Sequence, residues 1–194
     1  HIRNMGQFGV PVTVAINHFV TDTDAEHEAI KKYCADFGVE CTVSSHWEYG
    51  GEGAAGLAEC VVTMLENQQS QFRTLYGDNM SLWEKTRHIA RTIYGAEDII
   101  ADKKVRMQFA EFDKAGYRNF PVCMAQTQYS FSTDPLLLGA PSGHEVPIRE
   151  VRLSAGAGFI VVVFGAIMTM PGLPRKPSSE AIDVNEERRI EGLF

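Results

Sequence analysis

The run Val10 to Asn17 (VPVTVAIN) constrains the fold more than any other stretch of the chain. Its β-branched residues are nearly continuous, the pattern of a strand buried on both faces of a parallel sheet. A parallel strand needs a crossover, and the sequence supplies one at once. Thr23-Asp24-Ala25-Glu26 reads as a capping box, in which hydroxyl and carboxylate satisfy orphan helix N–H groups reciprocally. Ile30, Tyr33, Cys34 and Phe37 then recur at the i, i+3, i+4, i+7 spacing of one helix face, and Gly38 is the expected stop. Val39 to Ser45 (VECTVSS) is the next strand, and Leu57, Cys60, Val61, Met64 and Leu65 mark a second amphipathic helix. Strand, helix, strand, helix at this spacing predicts a right-handed parallel βαβα unit, hence an α/β fold.

Composition turns polar at Asn67-Gln68-Gln69-Ser70-Gln71, which divides the chain into residues 1–68 and a smaller α+β segment, 69–194. Ser81-Leu82-Trp83-Glu84 is a second capping box, opening a helix to Tyr94, and another helix runs from Lys103 to Ala115. Phe120 to Ala125, Val146 to Leu153 and Gly158 to Met170 read as strands. Between them, Thr127 to Gly143 is irregular, broken at Asp134-Pro135 and Ala140-Pro141, and carries Tyr129 and Phe131. The tail holds Pro171, Pro174 and Pro177 and is expected to be extended. Ala155 to Met170 is apolar but falls short of the ~20 residues a membrane span needs. Its Val161 to Phe164 core reads as buried strand, and no membrane partner is expected.

Acidic residues outnumber basic ones by 25 to 18, a net charge of −7 that argues against a nucleic-acid partner. The four cysteines, Cys34, Cys41, Cys60 and Cys123, form no Cys-x-x-Cys pair. Cys34 and Cys60 lie on apolar helix faces, so free buried thiols and a reducing, cytoplasmic setting are expected. No basic-then-apolar leader opens the chain, so no secretory signal is expected, and the start at His1 suggests a fragment or processed chain.

Gly51-Glu52-Gly53-Ala54-Ala55-Gly56 matches the Gly-x-Gly-x-x-Gly dinucleotide pattern, yet the acidic residue wanted about 20 positions on is replaced by the polar Gln68 to Gln71 stretch. Glu52 would also stand where a pyrophosphate belongs. The plainer reading is a loop that brings backbone close to something and then starts a helix. His46, Glu48 and Glu52 share one loop without a distant fourth ligand, and the six histidines are scattered, so no metal site is expected. None of the cysteines has a nucleophile signature. More informative are Phe19 and Trp47, each just past the C-terminal end of a strand, where open α/β sheets bind ligands. Two aromatics there could clamp a flat heterocycle; packing roles suit each equally well.

Several longer strings resemble formate–tetrahydrofolate ligase: Val12 to Thr23 (VTVAINHFVTDT), His46 to Gly53 (HWEYGGEG), Phe120 to Ser130, Ile148 to Phe159 and Met168 to Pro174. The resemblance covers the chain from Gln7 to its last residues and implies the C-terminal portion of an ATP-dependent ligase with a P-loop NTPase-like domain. That family couples formate and tetrahydrofolate through formyl phosphate. It implies ATP with Mg2+, tetrahydrofolate as substrate and activation by a monovalent cation, potassium or ammonium. As partners it implies the N-terminal portion of the same enzyme and a homotetramer. Carried over to this chain, it makes Phe19 and Trp47 a substrate ring clamp, with Asn17, Thr21, Asp22, Gly50 and Gly51 shaping the loops around it. No catalytic residue is assigned. Gln126 stands where the family's Met-Ala-Lys-Thr pattern has a lysine, so a positive charge is missing there.

The sequence contains no Gly-x-x-x-x-Gly-Lys-[Ser/Thr] phosphate loop. Two other classes therefore stay open: a noncatalytic binding or assembly module on the same scaffold, and a nucleotide switch related through the strand-then-Asn17 pattern. The switch reading wants Asn-Lys-x-Asp, and the sequence has His18-Phe19-Val20 after Asn17.

Overall fold

A computed structural model describes residues 1–125, 130–167 and 174–193. The chain opens on a short helix, α1 (Ile2–Gln7), which the sequence reading missed. Next come β1 (Val14–Asn17), α2 (Asp24–Asp36), β2 (Cys41–Ser44), α3 (His46–Tyr49) and α4 (Ala55–Asn67). β1 and β2 pair parallel and in register, from Val14 with Cys41 to Asn17 with Ser44, so the expected strand–helix–strand–helix order is present. The Thr23 capping box forms as read: Glu26 N–H donates to Thr23 Oγ1 at 3.3 Å, and Thr23 N–H to Glu26 Oε2 at 2.8 Å. Gly38 follows the helix at a φ of +66°, the left-handed turn that ends it.

The unit departs from expectation in its burial. β1 is four residues long and only Ile16 is buried, so it is not enclosed on both faces. On the α2 face, Cys34 is buried but Ile30 and Tyr33 are exposed, and Leu65 is exposed on α4. The reason is geometric: with two strands, the sheet is too narrow to cover the apolar faces of both helices. Cys34 and Cys60 are free and buried, as expected. Burial and a hydrogen bond with Cys34 push the Cys41 thiol up to about 11, which makes it a poor nucleophile.

The second sheet contains four strands in the order β3-β5-β6-β4, where β3 is Asp98–Ala101, β4 Val122–Ala125, β5 Glu145–Ser154 and β6 Phe159–Phe164. β3 pairs parallel with β5 and β4 parallel with β6, while β5 and β6 run antiparallel. Two helices, α5 (Leu82–Thr92) and α6 (Lys103–Phe112), lie against it. The segment expected to be the smaller one thus holds the wider sheet and the main core, built on Leu82, Phe109, Val146, Ile160, Val162 and Phe164. β3 escaped the sequence reading, and α6 gives way to a π-turn, Asp113–Tyr117, rather than continuing regularly to Ala115. β6 ends at Phe164, well short of Met170; residues 168–173, like residues 126–129, lie outside the described ones. The tail is not simply extended, because β7 (Asp183–Val184) and β8 (Ile190–Glu191) pair as a small hairpin. Among the described residues no helix is long and apolar enough to cross a membrane.

The two sheets are joined through the extended stretch after α4. Gln71 N–H donates to Gly9 O at 2.8 Å and Arg73 N–H to Phe8 O at 3.0 Å, while Asn4 Nδ2 reaches Ile93 O on the far side.

Lys85 on α5 is fully buried, and its Nζ donates to Arg118 O at 2.7 Å and Phe120 O at 3.1 Å. The Tyr76 ring stands 5.5 Å from the ammonium. Burial pulls its pKa below that of an ordinary lysine, and Asp78 and Asp113 pull it back up. The ammonium thereby supplies donors to two carbonyls of the turn that launches β4. Lys85→Met should leave both carbonyls short of a donor and cost about 1–3 kcal/mol of stability, read as a lower denaturant midpoint with an unchanged slope.

Candidate functional site

The parallel register places the C-terminal ends of β1 and β2 side by side, and both candidate aromatics follow from there. His18 N–H continues the ladder to Ser44 O at 3.0 Å, and the chain then turns at Phe19. Asp22 closes that turn twice: its N–H donates to Phe19 O at 2.9 Å and its Oδ2 accepts from Phe19 N–H at 2.8 Å. The Phe19 N–H holds the Asp22 carboxyl below its ordinary value, with smaller help from His27 and His18. Phe19 is left 54% exposed.

Trp47 lies on α3, a single helical turn, rather than in a loop. It is 52% exposed, and its Nε1 donates to His18 O at 2.6 Å. That bond spans 29 positions of sequence and fixes the indole edge against the backbone beside Phe19. Asn17 and Thr21 are exposed on the same segment, and Gly50 follows α3 at a φ of +56°, a conformation that favours glycine.

The glycine-rich string does what the plainer reading expected. Gly53 O accepts from Ser45 N–H at 3.0 Å, and a Cβ on Gly53 would lie 2.5 Å from Ser45 O. The loop therefore brings backbone against backbone, and α4 begins two residues later. Gly51 sits at a helical φ of −63° with open space around it.

One grouping escaped the sequence reading. The histidines are not all scattered: His18 and His27 approach Nδ1 to Nε2 at 3.4 Å, with the Asp22 carboxylate beside them. Nine positions separate them, and only the tight Phe19–Asp22 turn brings the second turn of α2 back over the end of β1. His46 instead contacts Ser44 Oγ through Nδ1 at 3.2 Å, and neither Glu48 nor Glu52 joins it in a metal-ligand group among the described residues.

Two sizeable cavities lie away from this edge. One, of about 540 Å3, is lined by α1, residues 10–13 before β1, the α2–β2 connection and α4; the other, of about 600 Å3, is apolar and lies between α1 and the second sheet. Neither includes Phe19 or Trp47. The aromatic edge is an open surface, and it is a candidate by its chemistry rather than by enclosure. Gln126, a candidate by resemblance, lies outside the described residues.

Fold and edge together define an α/β protein with a solvent-open aromatic edge at parallel strand ends. The family model described as formate–tetrahydrofolate ligase matches residues 1–194. The enzymes of that name from Ruegeria pomeroyi and Roseobacter denitrificans are each 61% identical over 194 residues, and that from Mesorhizobium japonicum is 58% identical. The chain belongs to the formate–tetrahydrofolate ligase family. All of it is matched, but it spans 35% of the length of these relatives. Those coverages fix the share and not the end, and they do not support the expected C-terminal placement.

The glycine geometry yields a paired expectation. Gly53→Ala should cost roughly 1–3 kcal/mol through the clash with Ser45, whereas Gly51→Ala should change stability by less than about 0.5 kcal/mol. Chemical denaturation of the two variants side by side checks this.

Proposed function

We propose that this chain is part of an enzyme that joins formate to the N10 nitrogen of tetrahydrofolate with consumption of ATP, and that its own contribution is to hold the folate ring. The observation that carries this reading is the pair of half-exposed aromatics, Phe19 and Trp47, on adjacent parallel strand ends, with the indole oriented by His18 O. A flat bicyclic ring is the chemistry such a pair suits, and Asn17, Thr21 and Asp22, with the Gly50–Gly51 bend, would shape its surroundings.

A triphosphate with Mg2+ is a poorer fit to these residues. The sequence has no phosphate loop, and the edge carries Asp22 and Glu52 rather than lysines or arginines. In this reading the groups that grip ATP, and the formyl phosphate route itself, belong to the remainder of the enzyme. The exposed Ile30, Tyr33, Val62 and Leu65 support a larger body packing on the two-stranded unit. The division into residues 1–68 and 69–194, a P-loop NTPase-like ancestry for the first part, a homotetramer, a monovalent cation and a cytoplasmic location complete the proposal.

Two measurements test it. In the complete enzyme, Trp47→Ala should weaken tetrahydrofolate binding by about 0.5–1.5 kcal/mol beyond any loss of buried area, and leave ATP binding nearly unchanged. Trp47→Phe keeps a ring but loses the bond to His18 O, and should fall between the two. A large drop in melting temperature with folate affinity intact would make Trp47 a packing residue and remove the clamp. Separately, the 194-residue chain alone should form no 10-formyltetrahydrofolate from ATP, formate and tetrahydrofolate. Turnover above a no-enzyme control would show that the phosphate chemistry resides here after all.

A further inference from the structure

We propose that His18, Asp22 and His27 form a binding site for one divalent transition-metal ion of the zinc class. The three donor atoms are His18 Nδ1, His27 Nε2 and Asp22 Oδ2, separated by 3.4, 3.6 and 3.9 Å. Ligand atoms bound about 2.0–2.1 Å from a tetrahedral zinc ion lie about 3.4 Å apart, so two of the three edges already fit closely. The widest, His18 to Asp22, has to close by about half an ångström to match. The His18 side chain, 28% exposed, has room to make that adjustment.

Hydrogen bonding alone accounts poorly for the arrangement. One imidazole can donate to the other at 3.4 Å, but the carboxylate oxygen stands 3.6 and 3.9 Å from the two nitrogens, beyond hydrogen-bond length. The carboxylate thus stands beside both imidazoles outside hydrogen-bond length, and the three ligand atoms all lie within 4.8 Å of one another. They are also held in place from outside the cluster. His18 is fixed by its N–H to Ser44 O, Asp22 by the Phe19 turn, and His27 by α2, whose start is set by the Thr23 capping box. His27 is 8% exposed, so its ring has little freedom to turn away.

The donor set also decides which ions fit. Two imidazole nitrogens and one carboxylate suit zinc, cobalt, nickel or copper, whereas Mg2+ asks for oxygen ligands in an octahedron. The site is therefore distinct in kind from any Mg2+ carried by a nucleotide. Zinc takes four ligands, so three protein donors would leave a fourth position for water or an anionic ligand. Because the His18 carbonyl also accepts from Trp47 Nε1, an ion held by the His18 ring would stiffen the whole aromatic edge.

The test is a titration of the complete protein, chelator-treated and free of Mg2+, with Zn2+ by calorimetry and with Co2+ by visible absorption. The expected result is one equivalent bound per chain and a Co2+ spectrum of low coordination number. His18→Ala should lose that equivalent, its affinity falling by more than the roughly 10–100-fold typical of outer-sphere changes, with the melting temperature unchanged. Asp22→Asn should weaken binding, and millimolar Mg2+ should not displace the ion. Equal Zn2+ stoichiometry and affinity in the wild-type and His18→Ala proteins would overturn the proposal, as would displacement by Mg2+ or the absence of any bound equivalent.

Discussion

The in-register pairing of β1 with β2 governs everything at the candidate site. Asn17 and Ser44 are the last paired residues of their strands, and the ladder runs one rung further to His18. Both chains therefore leave the sheet at the same height. Only then can the indole of Trp47 reach a carbonyl 29 positions earlier, and only then does the turn after Phe19 lie beside α3. A slip by one residue would put Phe19 and Trp47 on different levels and reverse the faces of the strand residues that precede them.

What could be read from the chain beforehand follows from how local each cause is. Both capping boxes form, because a cap needs only four consecutive residues; at Ser81, the Glu84 N–H donates to the hydroxyl at 3.2 Å and Glu84 Oε2 accepts from Ser81 N–H at 3.0 Å. The Gly53 contact was anticipated in kind, although its partner, Ser45, was not. Burial along β1 is not legible in its sequence, because it depends on neighbours that the local stretch does not contain. β3 and α3 were missed because four residues carry too little periodicity to declare a strand or a helix. The meeting of His18 with His27 depends on turn geometry between a strand and a helix, which spacing alone does not reveal.

The second sheet solves a different problem. Two parallel pairs, β3 with β5 and β4 with β6, become one sheet because β5 and β6 meet antiparallel through the turn at Ala155 to Gly158. β6 sits in the interior of that sheet with Ile160, Val162, Val163 and Phe164 buried, which is why so apolar a run needs no membrane. The aromatic edge is built from the narrower unit, so the main core and the candidate edge belong to different sheets.

The enclosure of Lys85 has a consequence for chemical modification. Lys103 and Lys104 stand exposed and would meet an amine-acylating reagent at once. Lys85 would meet it only when α5 parts from the turn around Arg118 and Phe120, which requires the core beneath to open. Its acylation rate under native conditions is thus a clock for cooperative opening of the four-stranded half, carried within the chain and needing no added reporter.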